Sequence, residues 1–222
     1  MRYVHRRQYI VSAARGKSVL DLGFIGEVGG SDDERIAAFP QQLHYELAQV
    51  GDEVVGVDNS QDIVALLQQR YPHLRFVASD VCELSRHIDR SFDVVVMGDL
   101  IEHLDNPGLA LDAIRPFVGR ELIVSCPNAF GLPNYIRFVI GRFHEGTDHV
   151  MSFNRFTLEH LLTRHGYTVV DMMTCLDRSP SSRFKRLWYR PFVIFLRLFP
   201  AVGGTLLFVA RPTSSELSIS RW

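Results

Sequence analysis

No stretch of this 222-residue sequence stays apolar long enough to cross a bilayer as a helix. The charged opening MRYVHRRQYIVSAARGK also lacks the apolar centre of a secretory leader, so a cytoplasmic protein is expected. An excess of one charge is missing too. The 24 basic and 25 acidic side chains leave a net charge of −1, which excludes chain-wide attraction to nucleic acid. Cysteine is scarce: Cys82, Cys126 and Cys175 are odd in number, and their spacing fits neither a zinc motif nor a disulfide framework. They are expected as small buried hydrophobes in a reducing compartment. The sequence has no internal repeat, no low-complexity segment and no G-x-G-x-x-G phosphate loop, so the dinucleotide fingerprint is absent.

What is present is an alternation. Short apolar runs at 18–23, 53–60, 74–81, 92–99 and 121–128 read as strands. The run 92–99 is wholly apolar in its middle, as buried parallel strands are. Helical spacing fills 33–51, disturbed by Pro40 and closed by Gly51, and recurs at 60–71 behind a Ser60 cap and at 106–118. Strand and helix in turn predict a parallel sheet with right-handed crossovers. Beyond residue 128 the pattern changes. The segment 129–154 is aromatic and irregular, 155–167 is an amphipathic helix ending at Gly166, and 168–176 and 204–212 read as two closing strands. One domain over 1–222 is expected, with 129–154 and 177–203 as insertions on the acceptor side or the sheet edge.

Ligands of such sheets lie outside the carboxyl ends of the strands. Asp21, Gly23, Asp58, Asp80 and Asp99 all fall at those ends. Asp58, followed by Asn59 and Ser60, also reads as a helix cap, and Asp80 also reads as a turn residue. Asp21, beside buried strand residues, needs a partner.

The ordered pieces VLDLGFIG, VVGVDNS, FVASDV and FDVVVMGDLIEHLDNPGLAL, followed by DHVMSFNRFTLEHLLTRHGY, resemble the class I S-adenosylmethionine-dependent methyltransferases over about residues 17–212. Among them they are similar to the type 11/23 enzymes, including the ubiquinone-biosynthesis and polysaccharide-cluster O-methyltransferases. The resemblance implies an α/β fold: a Rossmann-like doubly wound sheet, mostly parallel with an antiparallel last strand, and helices on both faces. It implies S-adenosyl-L-methionine as cofactor and S-adenosyl-L-homocysteine as product. The opening loop departs from the family's acid-x-Gly-x-Gly-x-Gly pattern: Asp21 and Gly23 match, Ile25 and Glu27 replace glycines, and Gly26 falls between them. On this resemblance Asp21 holds the methionine amine, and Gly23, Phe24 and Gly26 form the loop. Asp58 with Asn59 takes the ribose hydroxyls, Asp80 and the Val81 amide meet the adenine, and Gly98 and Asp99 border the sulfonium.

Methylation of a hydroxyl needs a general base as well as alignment of donor and acceptor. His149, beside Asp148, is the first candidate, and His103, just past the fourth run, is the second. The remaining histidines, His44 among them, read as ordinary surface or amphipathic residues. Asp99, Glu102 and His103 have the spacing D-x-x-E-H, where the ubiquinone-type enzymes carry E-x-x-E-H linked with a divalent metal. That donor set is compatible with Mg²⁺, Mn²⁺ or Zn²⁺. The run 183–200 interleaves five cations with aromatics. It reads either as an interfacial segment giving peripheral membrane contact or as a helix that packs on the sheet edge while its cations reach water.

The expected activity is O-methylation of a glycan, lipid-linked or small hydroxylated acceptor. The alternatives are a non-catalytic adenosylmethionine-binding protein and an NAD(P)-dependent oxidoreductase.

Overall fold

A computed structural model describes residues 1–26, 31–142, 148–175 and 183–213, with the main chain alone over 183–190. In chain order the elements are β1 (Arg2–Tyr3), α1 (Arg6–Ala14), β2 (Ser18–Leu22), α2 (Asp32–Ala38), α3 (Leu43–Val50), β3 (Glu53–Asp58), α4 (Gln61–Arg70) and β4 (Arg75–Ala78). Then follow β5 (Phe92–Gly98), α5 (Pro107–Ile114), β6 (Val118–Pro127), α6 (Leu132–Val139), α7 (Arg155–Arg164), β7 (Tyr167–Cys175), α8 (Arg183–Leu198) and β8 (Thr205–Pro212). The strands form one eight-stranded sheet in the order β1-β7-β8-β6-β5-β2-β3-β4. Every pairing is parallel except the two made by β8, which runs antiparallel to both β6 and β7. This is the doubly wound, mostly parallel sheet expected, with its last strand reversed.

Both faces of the sheet are covered. On one, α5 and α7 bring Leu111, Ile114, Leu158 and Leu162 onto Leu20, Leu22, Val95 and Met97. On the other, α1 and α3 bring Ile10, Ala14 and Leu47 onto Val19, Val94 and Val96. Burial on both sides explains why β5 is apolar throughout its middle, where Val94, Val95 and Val96 are fully buried, each contributing roughly 1.5–3 kcal/mol relative to exposure. A third cluster, aromatic, packs Phe24 and Phe39 against Ile63, Val64 and Leu67 of α4.

Local chemistry sets the helix ends. Ser31 and Glu34 form a reciprocal capping box on α2, Asn106 caps α5 ahead of Pro107, and Asn154 caps α7 through the Phe156 and Thr157 amides. Pro40 splits the expected helix 33–51 into α2, a 3₁₀ turn over Phe39–Gln41, and α3, because it has no N–H to continue the ladder. The expected helix 106–118 stops at Ile114, where Pro116 shapes another 3₁₀ turn, and β6 begins at Val118 rather than 121. Ser60 does not cap α4 with its side chain; its N–H instead donates to Asp58 Oδ1 at 3.0 Å. Of the segments read as insertions, 129–154 supplies α6, and 177–203 supplies α8 with the turn Pro200–Val202; residues 177–182 lie outside the described residues.

Candidate active site

The chain leaves β2 toward β3 and β4, but leaves β5 toward β6 on the opposite side. The adjacent carboxyl ends of β2 and β5 therefore flank a topological switch point, where a sheet of this kind leaves a crevice. The sequence-predicted residues distribute themselves along this rim in two different ways.

On the β2–β4 side the acids are engaged by the protein itself. Asp21 is buried, and its Oδ2 lies 3.0 Å from His44 Nδ1 of α3. His44, read from the sequence as ordinary, is wholly buried among Phe24, Phe39 and Phe76. The partner that Asp21 required is thus a histidine. Gly56, opposite Asp21 in β3, makes the room: a Cβ there would come within 2.8 Å of the His44 ring and of Phe24. Phe24 likewise turns inward and stacks on Phe76 at 5.1 Å, so only its backbone faces the loop.

Gly23 has φ +67° and would meet Leu100 at 3.0 Å if it carried a Cβ, so its freedom is required by the turn itself. A Cβ on Gly26 would meet nothing within 4 Å. Glu27 and the following residues to 30 lie outside the described residues.

Asp58, at the end of β3, accepts the Ile25 amide on Oδ2 at 3.2 Å and the Ser60 amide on Oδ1 at 3.0 Å, with Asn59 between the two turns. It ties the β2 loop to the start of α4, and each carboxylate oxygen keeps a second lone pair for a hydroxyl donor. Asp80 is exposed and caps the 3₁₀ turn beginning at Val81 by accepting the Cys82 amide at 2.7 Å.

On the β5 side, charged groups meet one another from distant parts of the chain. Asp99 follows Gly98 with φ 50°, the left-handed region in which Asp is among the better-tolerated side chains. Its carboxylate pairs with Arg6 of α1 and accepts from Ser125 Oγ at 3.4 Å. A Cβ on Gly98 would meet the Arg6 guanidinium at 3.0 Å, so Gly98 lets that cation lie over the strand end. Arg6 was not singled out in the sequence, where it is one of several cations in a charged opening.

Three residues after Gly98 begins the 3₁₀ turn Ile101–His103, which presents Glu102 and His103. The main chain of 148–151 is pinned beside it, since the Val150 and Met151 amides donate to the Glu102 carbonyl at 3.0 and 3.2 Å. His103 Nδ1 lies 3.0 Å from the Asp148 carbonyl. A carbonyl can only accept, so Nδ1 carries the hydrogen and the lone pair of the neutral ring sits on Nε2. The His103 and His149 rings meet edge to face at 4.8 Å. One donor atom each from Glu102, His103 and His149 falls within a 4.8 Å group. Among the described residues His149 groups with Glu102 and His103, while the Asp99 carboxylate turns to Arg6 and Ser125.

A twisted parallel sheet with one reversed strand, helices on both faces and an acid-rimmed switch point defines a Rossmann-like cofactor-binding fold. A family profile described as "Methyltransferase domain" matches residues 37–118. Proteins from two strains of Mycobacterium tuberculosis, each named a probable S-adenosylmethionine-dependent methyltransferase, are 30% identical over 161 residues. That alignment takes in 71% of this chain but 56% of theirs, so the chain spans a little over half the length of these curated relatives. Two solved structures share the fold. Magnesium protoporphyrin IX methyltransferase from Synechocystis with bound SAH has a TM-score of 0.60 at 16% identity, covering 94% of this chain and 82% of that one. N-methyltransferase NodS from Bradyrhizobium japonicum has a TM-score of 0.55 at 15% identity, covering 94% and 95%. The profile match, the curated relatives and the shared fold together support a class I S-adenosylmethionine-dependent methyltransferase.

Proposed function

We propose that this chain transfers a methyl group from S-adenosylmethionine to a hydroxyl of a glycan, lipid-linked or small acceptor. The observation that carries this is the gathering of Glu102, His103 and His149 directly after β5, beside the switch-point crevice. In the reaction the acceptor oxygen's lone pair forms the O–CH₃ bond as the S–CH₃ bond breaks. The departing electron pair neutralises the sulfonium to the thioether of S-adenosylhomocysteine, and the hydroxyl proton passes to an imidazole. His103 is well suited to take it, because the Asp148 carbonyl fixes its tautomer with the basic lone pair on Nε2. His149, the first choice from sequence, stands against it edge to face and completes the group.

Cofactor roles follow the rim. Asp58 receives the ribose hydroxyls on the lone pairs left by the Ile25 and Ser60 amides. Asp80 and the Val81 amide face the adenine. Arg6, held over Gly98 by Asp99, offers a guanidinium to the methionine carboxylate, a charge-assisted pairing.

One observation favours a metal-assisted variant. Two imidazoles and a carboxylate within one 4.8 Å group fit a first-row divalent cation such as Zn²⁺ or Mn²⁺ better than Mg²⁺. When bound there, such an ion would supply Lewis acidity that lowers the pKa of the acceptor hydroxyl.

Calorimetry with S-adenosylmethionine, S-adenosylhomocysteine and NADH, followed by a labelled-methyl screen of hydroxylated acceptors, tests the proposal. Binding of both adenosyl compounds and label in a methyl ether product are expected. Binding of NADH alone would make the chain an oxidoreductase, and adenosyl binding with no labelled product from any acceptor would make it a non-catalytic binder. Metal analysis of the purified protein, with and without His149→Ala, reads the metal variant separately.

A further inference from the structure

We infer that α6 and α8 form a docking face for an anionic lipid surface. The two helices are far apart in sequence but are anchored together at their ends. Asn128, just before α6, donates from Nδ2 to the Gly203 and Ala201 carbonyls past α8, at 2.8 and 3.3 Å. Gly131, the N-cap of α6, packs so closely that a Cβ there would lie 2.7 Å from the Gly203 carbonyl oxygen.

Both helices present large apolar side chains to water. On α6, Tyr135, Ile136 and Val139 fall at helical spacing on one stripe, with Phe138 beside it 68% exposed. On α8, Leu196 is fully buried and holds the helix to the protein, while Ile194 is 58% and Leu198 71% exposed. Phe199, 54% exposed, and Phe130, 71% exposed, extend the apolar surface past each helix. A chain that hides Leu20 and Met97 completely is under no shortage of core, so this apolar surface is in excess of what folding requires.

Charge selects the occupant. Residues 129–142 hold Arg137 and Arg142 and no acid; residues 183–200 hold five cations, from Arg183 to Arg197, and no acid. The whole chain is at −1, so this basic charge is concentrated in the two segments with the most exposed apolar area. Helices with exposed apolar side chains in sequences that carry cations and no acid match an interface of acyl chains under anionic headgroups. Among the described residues no helix is long and apolar enough to cross a membrane, so the contact is one of lying on the surface. The face also adjoins the candidate site. Residues 148–153 run from Glu102 back to the foot of α6, where the Ala129 amide donates to the Phe153 carbonyl at 2.8 Å. Docking here would hold the Glu102, His103 and His149 group near the lipid surface, although the docking itself does not depend on methyl transfer.

Co-sedimentation with vesicles tests it. The protein is expected to partition at least tenfold more onto phosphatidylcholine vesicles containing about one third phosphatidylglycerol than onto pure phosphatidylcholine, and to lose that preference as salt rises. Phe138→Glu with Leu198→Glu, both at exposed positions, should lower the partition about tenfold or more while leaving the circular dichroism spectrum and S-adenosylhomocysteine binding unchanged. Equal partition onto the two vesicle types, no binding at low salt, or unchanged binding by the double variant overturns the proposal. So does a dimer in sedimentation velocity that the double variant abolishes without any vesicle binding, which would assign the face to a second copy of the chain.

Discussion

The two halves of the strand-end rim use the same residue types to different ends. Along β2, β3 and β4 the acids are held by neighbours in the fold's own framework: Asp21 by a buried imidazole, Asp58 by two amides, Asp80 by the amide two residues on. Past β5, Arg6 meets Asp99 across 93 positions of sequence, and His103 meets the Asp148 carbonyl across 45. The first half combines two local turns, at Asp58 and Asp80, with two bonds that reach 23 and 33 positions along the chain. The second is an assembly of ionisable groups that exists only once the chain has folded. A site that must both hold a cofactor and move a proton benefits from keeping these tasks apart, since one side can be optimised for order and the other for chemistry.

The contrast can be broken most forcefully on its chemical side. His103→Ala should reduce methyl transfer by about 10²–10⁴-fold while S-adenosylhomocysteine affinity, measured calorimetrically, stays within about twofold. A larger loss for His149→Ala than for His103→Ala would transfer the base role back to His149. On the β2–β4 side the largest effect should be on stability. His44→Ala strands the Asp21 carboxylate in the core and should cost about 3 kcal/mol in urea unfolding, whereas Asp21→Leu combined with His44→Phe should recover most of that loss. Asp58→Ala should weaken S-adenosylhomocysteine binding about tenfold and cost roughly 1–2 kcal/mol in stability, because the Ile25 and Ser60 amides lose their acceptor.

The smallest effect lies at the opposite end of the sheet, where Asp93 serves as a control. Its carboxyl is held below the usual range, first by the Ser18 amide and then by the Ser18 hydroxyl. A lowered folded pKa stabilises above the ordinary carboxylate value, and that contribution is lost as the pH falls through the folded one. Asp93→Asn should therefore cost a few tenths of a kcal/mol near pH 7, and its difference from the wild type should vanish on acidification, with no change in cofactor affinity.

The strand ends of this half were largely legible in the sequence because their signals are short-range. An acid closing an apolar run places Asp58 at a strand end whatever the rest of the chain does. Even there, the direction of a side chain was not legible. Asp21 turns inward to His44, for which Gly56 leaves room, and Phe24, past the end of β2, turns inward onto Phe76. His44 carried a signal that could have been used: it lies three residues before the buried Leu47 on one helical face, and Gly56 is a glycine inside a strand, a common mark of close approach. Arg6 carried none, since nothing in a run of cations tells which of them will reach Asp99. The D-x-x-E-H spacing pointed to the turn that carries Glu102 and His103, but did not show that His149 would stand beside them. Asp99 adopts a left-handed backbone that directs its carboxylate to Arg6 and Ser125, and His149 arrives from 46 residues downstream of His103 along a segment with no periodicity to read.

The attachment of residues 148–151 is made by backbone atoms, with one carbonyl, that of Glu102, gathering two successive amides. Replacement of Val150 or Met151 by any residue other than proline would preserve both tethers. Natural variation can therefore change the exposed side chains of this segment while its main chain stays fastened beside the two imidazoles.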